Sequence, residues 1–383
     1  MSRRLLDKNF CIIPWTGFEL EPNGDVKNCI ISKDVIGNIQ NESIQDIISK
    51  NKALRSDMLS GKYPKNCSGC YLQEKNRTTN FDSISSRLYY AKHLGTKIPN
   101  NLLEHPNNFK LKHVDIRWSN KCNQACVYCG PTYSSKWQQE LGEPITKPKD
   151  SMGKFKDYIF DNIKDLENVY LAGGEPLLMK QNKEFLEKLY RENPNVLLRI
   201  NTNLSTTDTG IFDLICKFKR VHWTISIESI EEQYEYIRYH GVWKNFVENL
   251  NRIKNLGHTI NFNMLYFIMN FQAIFPCIDF LKSQGFHSNS FVIGPLYEPL
   301  YMNVLNLPKH MLDEIKKELV KRIEQKPGFL LQNSYENILS YLTTTEFHAN
   351  INKTKQQIQI LDRRRKLDSR KLFPELYKVL DDY

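Results

Sequence analysis

The sequence contains no apolar run close to the ~20 residues that a membrane-spanning helix requires. The apolar segment of its basic N-terminus, MSRRLLDKNFCIIPW, is too short and too interrupted for a secretory signal. Internal repeats and low-complexity tracts are also lacking. With 40% hydrophobic and 25% charged residues in a chain of 383, the composition is typical of a folded globular protein. We therefore expect a cytoplasmic protein outside the membrane, with one large catalytic domain and a smaller appendage.

The nine cysteines do not indicate disulfide bonds, because the cytosol keeps thiols reduced. Cys216 and Cys277 stand alone in apolar segments, and we interpret them as buried small hydrophobic residues. The other seven fall into a group of four and a group of three. Such grouping indicates ligands of metal centres or clusters.

Positive charge is in excess, with a formal net charge of +10 at neutral pH. This excess favours an anionic partner, either a negatively charged substrate or nucleic acid. The most concentrated basic run, 363–366, is interpreted as a solvated helix face rather than a binding surface.

Residues 11–70 form a cysteine-bearing unit at the start of the chain. The turn sequence Pro-Asn-Gly-Asp at 22–25 separates two β-prone segments and predicts a β-hairpin. A capping-box pattern at 43–46 predicts a helix that continues to about Leu59. The Cys-Ser-Gly-Cys sequence at 67–70 is predicted to lie in the loop that follows.

From residue 111, apolar β-prone segments alternate with amphipathic helical ones. Six strands, each joined to the next through a helix, predict a parallel sheet with right-handed crossovers. Six strands are fewer than the eight of a full barrel, so the predicted fold class is α/β. The architecture is an open, partial (β/α)6 TIM-like barrel with a small N-terminal α+β cysteine-rich domain and a C-terminal helical extension. The chemistry of such a sheet lies at the C-terminal ends of its strands.

The predicted elements and boundaries are as follows. The strands are 113–118, 168–172, 196–201, 221–228, 261–267 and 290–293. Helices lie near 153–165, 182–192, 208–218, 243–256 and 272–284, and C-terminal helices at 308–325, 335–344 and 353–368. The predicted domains are a cysteine-rich unit at 1–75, a linker at 76–107, the partial barrel at 108–306 and the helical extension at 307–383.

Cys122, Cys126 and Cys129 lie within eight residues, in a loop after the first predicted barrel strand. Three thiolates can hold three corners of a cubane cluster, whereas an ordinary [4Fe–4S] centre takes four cysteines. One iron would then be open to an exogenous ligand, as one coordination position is in catalytic zinc sites. A zinc knuckle or a chance cluster is the alternative, although zinc would need a fourth ligand and the loop offers none.

The CxxxCxxC spacing resembles the signature of the radical S-adenosylmethionine (SAM) superfamily, in which SAM occupies the open iron. The resemblance implies that the backbone of Tyr128 approaches the adenine. The sequence at Gly173, Gly174 and Glu175, which ends the second strand, is similar to the superfamily's second motif, a contact of the SAM amino group. Glycine allows a ligand close to the backbone, and a carboxylate accepts from an ammonium group.

Later strands also end in polar residues to which the resemblance gives roles. Asn203, after the third strand, is implied to contact the SAM ribose. Ser226, at the end of the fourth, is implied to bind the SAM carboxylate with help from Arg238. Glu228 stands where many relatives have Asp, so its role stays open. Solvation of the strand ends is the alternative for all of these residues.

Cys11 and Cys29 flank the predicted hairpin, and Cys67 and Cys70 form a CxxC pair after the predicted helix. These four thiolates make a closed ligand set for one metal centre. The arrangement resembles the twitch domain, a shortened SPASM domain that carries an auxiliary [4Fe–4S] cluster in many radical SAM enzymes. Here it precedes the barrel instead of following it. A structural zinc held by the same four cysteines is the alternative, because the spacing also suits zinc ribbons.

The resemblance implies a radical SAM enzyme with two [4Fe–4S] clusters. An external one-electron reductant such as flavodoxin or ferredoxin would reduce the SAM-binding cluster. SAM would be cleaved to methionine and a 5′-deoxyadenosyl radical, which takes a hydrogen atom from the substrate. We favour a small anionic, sugar- or nucleotide-like metabolite as the substrate. A peptide-modifying maturase is the first alternative, and a zinc-containing nucleic-acid-binding protein is the second.

Overall fold

Strands and helices alternate through most of the chain, which the computed structural model describes at residues 9–32, 34–75, 86–144 and 151–382. The strands are β1 Gly17–Leu20, β2 Asp25–Lys27, β3 Val35–Asn38, β4 His113–Ile116, β5 Asn168–Leu171, β6 Leu197–Thr202, β7 Val221–Ser226, β8 Thr259–Tyr266 and β9 Phe291–Pro295. The first helices are α1 Ile13–Thr16, α2 Ile44–Lys50, α3 Lys52–Leu59, α4 Ser68–Lys75, α5 Ser86–Leu94, α6 Ser135–Leu141, α7 Ser151–Asp161, α8 Lys180–Glu192 and α9 Gly210–Ile215.

The remaining helices are α10 Glu231–Ile237, α11 Trp243–Lys254, α12 Ile274–Ser283, α13 Lys309–Glu324, α14 Phe329–Thr344, α15 Ile351–Arg365, α16 Ser369–Leu372 and α17 Pro374–Leu380. Short 3₁₀ helices lie at Lys65–Cys67, Gly95–Lys97, Asn100–Glu104, Ile163–Asp165, Pro176–Leu178, Ser288–Ser290, Leu300–Met302 and Val304–Asn306. None of the helices in the described part of the chain is long and apolar enough to cross a membrane.

The predicted α/β fold class is confirmed, with parallel strands and a helical C-terminal part. β4 pairs in parallel with β5, β5 with β6, and β8 with β9. The six predicted strands and eight predicted helices are all present within a few residues of their expected positions, except that α14 begins at Phe329 and not at 335. In β7, for example, buried and half-buried residues alternate, as expected of a strand. Val221, Trp223 and Ile225 are buried, and the residues between them are half-buried.

The chain forms two compact units. One contains the described residues within 1–121, 145–201 and 208–222, and its strands follow the order β3-β2-β1-β4-β5-β6. The other contains 122–144, 202–207 and 223–383, in which β7, β8 and β9 are successive neighbours. The four predicted domain boundaries stay a prediction.

The first unit joins the cysteine-rich segment to the barrel strands in one sheet, which the sequence did not predict. β1 pairs antiparallel with β2, which confirms the hairpin, and β2 pairs antiparallel with β3. The other edge of β1 is parallel to β4, with Phe18 beside Val114 and Leu20 beside Ile116. All four residues of β1 are buried, as expected of a strand with neighbours on both edges.

Two local predictions in the cysteine-rich segment need correction. Ser43 caps α2 as predicted, but the single predicted helix is divided at Asn51, whose side chain donates to Asn28 Oδ1 at 2.6 Å. The Cys67–Cys70 pair is not in a loop: Cys67 ends a 3₁₀ helix and Cys70 lies in α4. Part of the predicted linker, 76–85, lies outside the described residues.

The two solitary cysteines differ in burial. Cys277 of α12 is buried, as predicted, whereas Cys216 is only half-buried after the end of α9. The interpretation as a buried hydrophobic residue is therefore confirmed for Cys277 and wrong for Cys216.

Candidate metal centres and active site

Four cysteines of the first unit, Cys11, Cys29, Cys67 and Cys70, line one cavity. The cavity has about 340 Å³ of empty space, including space open to solvent, and its other lining residues are Ile13, Ile31, Asn66 and Arg87. Among the described residues, no three His, Cys, Asp or Glu side chains form a group that could hold a single metal ion. The four predicted ligands of the auxiliary centre nevertheless all lie around the same cavity.

Burial makes these thiols hard to ionise unless a cation replaces the proton. It raises the pKa of Cys11 well above its ordinary value, and the neighbouring Cys67 adds to the effect. It raises the pKa of Cys29 to about 12 and that of Cys67 to about 11. Four sulfur donors around an otherwise largely apolar cavity fit an iron–sulfur cluster, whose positive irons take the place of the thiol protons.

The three-cysteine loop of the second unit is fixed through its backbone. The Ala125 N–H donates to Tyr239 O and the Val127 N–H to Ile237 O, each at 2.9 Å. Trp137 Nε1 donates to Cys126 O at 2.8 Å. These three bonds hold the segment between the first and third cysteines in one conformation.

Nitrogen donors contact two of the three sulfur atoms of this loop. Cys122 Sγ accepts from the Gln124 N–H at 3.5 Å and from Asn203 Nδ2 at 3.9 Å, and Cys126 Sγ accepts from Arg238 Nη1 at 3.9 Å. Burial raises the pKa of Cys126, and Arg238 acts against that rise. Burial, with Cys126 as the next cause, raises the pKa of Cys129 to about 12. Thiols with such donors fit cluster ligation, because N–H groups stabilise thiolate charge.

Arg238 forms a buried ion pair with Glu228, the residue whose role the sequence left open. Its Nε and Nη2 donate to the two Glu228 carboxylate oxygens, both at 2.7 Å. Both side chains are almost fully buried, and Asn270 Nδ2 donates to Glu228 O at 3.1 Å. The guanidinium also lies 5.9 Å from the centre of the Tyr128 ring. Glu228 therefore orients the guanidinium that reaches Cys126 Sγ.

The backbone itself requires the two glycines after β5, which the sequence did not predict. Gly173 has φ +114°, which disfavours any other residue. A Cβ on Gly174 would lie 2.2 Å from Lys121 O, so only glycine lets β5 approach the segment before Cys122. Glu175 is fully buried, and its Oε1 accepts from the Leu177 N–H at 3.1 Å. Contacts of Gly173, Gly174 and Glu175 with SAM stay a prediction.

The remaining predicted SAM contacts lie at strand ends in the second unit. Asn203 is buried, its Nδ2 donates to Asn123 Oδ1 at 3.1 Å, and its Oδ1 accepts from the Ser205 N–H at 2.9 Å. Ser226 is the last residue of β7 and is half-buried. Their roles toward the ribose and the carboxylate of SAM also stay predictions.

The basic run was interpreted as a solvated helix face, and this is wrong for Arg365. Its neighbours Arg363, Arg364 and Lys366 are exposed, but Arg365 is buried. Arg365 Nη2 donates to Ala125 O at 2.8 Å and pairs with Glu140 at 3.1 Å. The helical 3.6-residue period explains the difference, because inward-facing positions of α15 recur every three or four residues and include Leu361 and Arg365.

Replacing Arg365 with Met is expected to loosen the three-cysteine loop. The change removes the donor to Ala125 O, which should lower the free energy of unfolding by about 1–3 kcal/mol. We expect a lower Tm and faster loss of iron from the reconstituted protein during gel filtration. Arg363→Met, an exposed change on the same helix, is the control and should match the wild type. Equal iron retention in both variants would show that Arg365 does not position the loop.

Comparison with known proteins agrees with this geometry. The sequence model of the radical SAM superfamily matches residues 116–281, and that of the SPASM iron-sulfur cluster-binding domain matches residues 11–71. The chain has a radical SAM domain preceded by a SPASM domain. It is therefore an enzyme whose cofactors are SAM, a [4Fe–4S] cluster and an auxiliary iron–sulfur cluster. The finer assignment to the twitch form is consistent with the short SPASM match and stays a prediction.

The relatives of this chain by sequence include several GTP 3′,8-cyclases. That of Sulfurimonas denitrificans is 24% identical over 182 residues, 45% of this chain and 53% of the relative. That of Helicobacter pylori strain HPAG1 is 24% identical over 245 residues, 60% of this chain and 72% of the relative. The chain spans about half the length of the Sulfurimonas relative, so identity of activity does not follow.

Among solved structures, this chain is similar to proteins bound to SAM. Streptococcus suis SuiB bound to S-adenosylmethionine matches with a TM-score of 0.41 and 16% identity, over 64% of this chain and 55% of SuiB. The protein anSMEcpe with bound AdoMet matches with a TM-score of 0.43 and 16% identity, over 57% and 59% of the two chains. At sequence identities and TM-scores this low, no function of this chain follows from those structures.

Proposed function

We propose that the three-cysteine loop holds the [4Fe–4S] cluster that cleaves SAM, and that the four-cysteine cavity holds the auxiliary [4Fe–4S] cluster. The observation that carries this proposal is the pairing of two different sulfur sites. One is an open set of three thiols, two of which accept from nitrogen donors, and the other is a closed set of four thiols around one cavity. The open set leaves room for a cofactor at one iron, and the closed set does not.

When bound, SAM and its cluster supply the radical that removes a hydrogen atom from the substrate. The residues of this chain would bind and orient the cluster and SAM and exclude water from them. The N–H groups of Gln124, Asn203 and Arg238 offset thiolate charge, while Trp137 and Arg365 fix the loop backbone. The residues that we propose to contact SAM are Tyr128, Gly173, Gly174, Glu175, Asn203, Ser226 and Arg238.

For the substrate, we propose a small anionic, nucleotide-like metabolite. The net charge of +10 favours an anionic partner, and the relatives are named for a reaction of GTP. A sugar phosphate has the same kind of charge and belongs to the same proposal. A one-electron donor such as flavodoxin or ferredoxin is the proposed protein partner.

Anaerobic turnover tests the substrate class. Reconstituted protein with SAM and dithionite should form 5′-deoxyadenosine faster when the substrate class is right, and mass spectrometry should show the substrate changed. We expect acceleration by nucleotides or sugar phosphates. Acceleration by peptides alone would contradict this proposal and favour the maturase. Colourless protein with zinc and no acid-labile sulfide would contradict both and favour the nucleic-acid-binding alternative.

Metal content tests the two sulfur sites separately. Wild type should hold about eight irons per chain, because each cubane cluster contains four. Replacing Cys122, Cys126 and Cys129 with Ala should leave about half of this iron, with no spectral change when SAM is added. Replacing Cys67 and Cys70 with Ala should leave the half that responds to SAM. One zinc in place of the second cluster would refute the auxiliary cluster and leave the SAM site intact.

A further inference from the structure

Arg87 places a positive charge at the wall of the four-cysteine cavity. Among the described residues that line it, Arg87 alone has a formally charged side chain, and it is only 3% exposed. It lies in the first turn of α5, a helix outside the cysteine-bearing elements. A buried guanidinium at this position needs a reason, because removing the charge from water is costly.

The guanidinium is fixed to two segments that carry cysteines of the cavity. Its Nη1 donates to the carbonyl of Phe10, the residue before Cys11, at 3.0 Å. Its Nε donates to Glu74 Oε1 at 2.9 Å, and its Nη2 contacts the other Glu74 carboxylate oxygen. Glu74 lies on α4, one turn after Cys70. Arg87 therefore keeps a defined position relative to both cysteines.

The charge of Arg87 acts on the cavity sulfurs. Burial raises the pKa of Cys67, and the Arg87 guanidinium acts in the opposite direction. The pKa of Arg87 is raised although burial opposes this, because Glu74 bonds it and the thiolates of Cys11 and Cys70 attract it. Attraction between the guanidinium and sulfur-borne negative charge contributes to both effects, beside the larger contribution of Glu74 to the pKa of Arg87.

We propose that Arg87 sets the reduction potential of the auxiliary cluster, with Glu74 as a partial counter-charge. This inference rests on the proposed four-cysteine ligand set. One-electron reduction by the external donor adds one negative charge to the cluster and its thiolates. A fixed cation beside them stabilises the reduced form, and the low polarity of the cavity wall increases this stabilisation. Arg87 is thus a positioning and tuning residue that does not ligate iron.

The sign of the potential shift tests the proposal. The full chain with Cys122, Cys126 and Cys129 replaced by Ala has only the auxiliary cluster, whose midpoint potential is measured by redox titration followed by EPR. Arg87→Met should make the potential more negative, because a cation is lost. Glu74→Gln should make it more positive, because an anion is lost. Arg87→Lys should stay near the parent value, and so should the control Lys62→Met, which changes an exposed side chain.

Opposite shifts from the two neutralising variants are not expected of a merely structural ion pair, since either variant would disturb the same contact. Shifts in the same direction, or none, at full iron and sulfide content would overturn the proposal. If Arg87→Met fails to take up iron, the direction of the shift in Glu74→Gln still decides the sign, with Arg87→Lys as the charge-conserving control. Zinc and no sulfide in the parent chain would instead overturn the cluster ligand set, so the two failures are distinguishable.

Discussion

Cys126→Ala should reduce the formation of 5′-deoxyadenosine from SAM to below detection. The loop offers three thiols, so the loss of one leaves two protein ligands for a cluster that needs three. Cys126 is the central one of the three proposed ligands, and it is the one whose carbonyl accepts from Trp137 and whose sulfur accepts from Arg238. Reconstituted protein with SAM and dithionite, analysed by chromatography, measures the effect.

The matched control is Cys216→Ala, which removes a half-buried cysteine that belongs to neither group. It should cleave SAM as the wild type does and hold the same iron. Cys126→Ala should lose about four irons per chain, one cubane cluster, and keep the rest. Wild-type 5′-deoxyadenosine formation in this variant would contradict the assignment of the three-cysteine loop.

The parallel strands and the grouping of cysteines were predictable from the sequence for physical reasons. A buried parallel strand such as β5 needs apolar side chains, and a cluster needs several thiols at fixed spacing. These requirements act on neighbouring residues, so they leave local patterns. The hairpin and the cap at Ser43 are similarly local, since the turn and cap residues form them by themselves.

Contacts between distant segments left no such pattern. Arg365 lies 240 positions from Ala125, and a single inward-facing residue in a basic run resembles its exposed neighbours. Gly174 is one of two successive glycines, and only the approach of Lys121 shows why a side chain is excluded there. The parallel pairing of β1 with β4 joins segments separated by more than ninety residues. A sequence pattern shows which face of a strand or helix is apolar. It does not show which distant segment packs against that face.

Arg238→Met should be strongly destabilising, by about 3–5 kcal/mol, because it leaves the Glu228 carboxylate buried without its counter-charge. The structural basis is the two-bond pair at 2.7 Å inside the second unit. Chemical denaturation of the apo protein measures the loss. The same variant should form no 5′-deoxyadenosine, since the guanidinium that reaches Cys126 Sγ is absent.

The double variant Glu228→Gln, Arg238→Met separates stability from function. Removing both charges of a buried pair costs far less than removing one, so most of the lost stability should return. SAM cleavage should stay absent, because neither side chain can place a cation at the cysteine. Recovery of cleavage together with stability would show that the pair serves folding alone and that the proposed SAM contact of Arg238 is wrong. A single variant as stable as the wild type would contradict the burial of the pair itself.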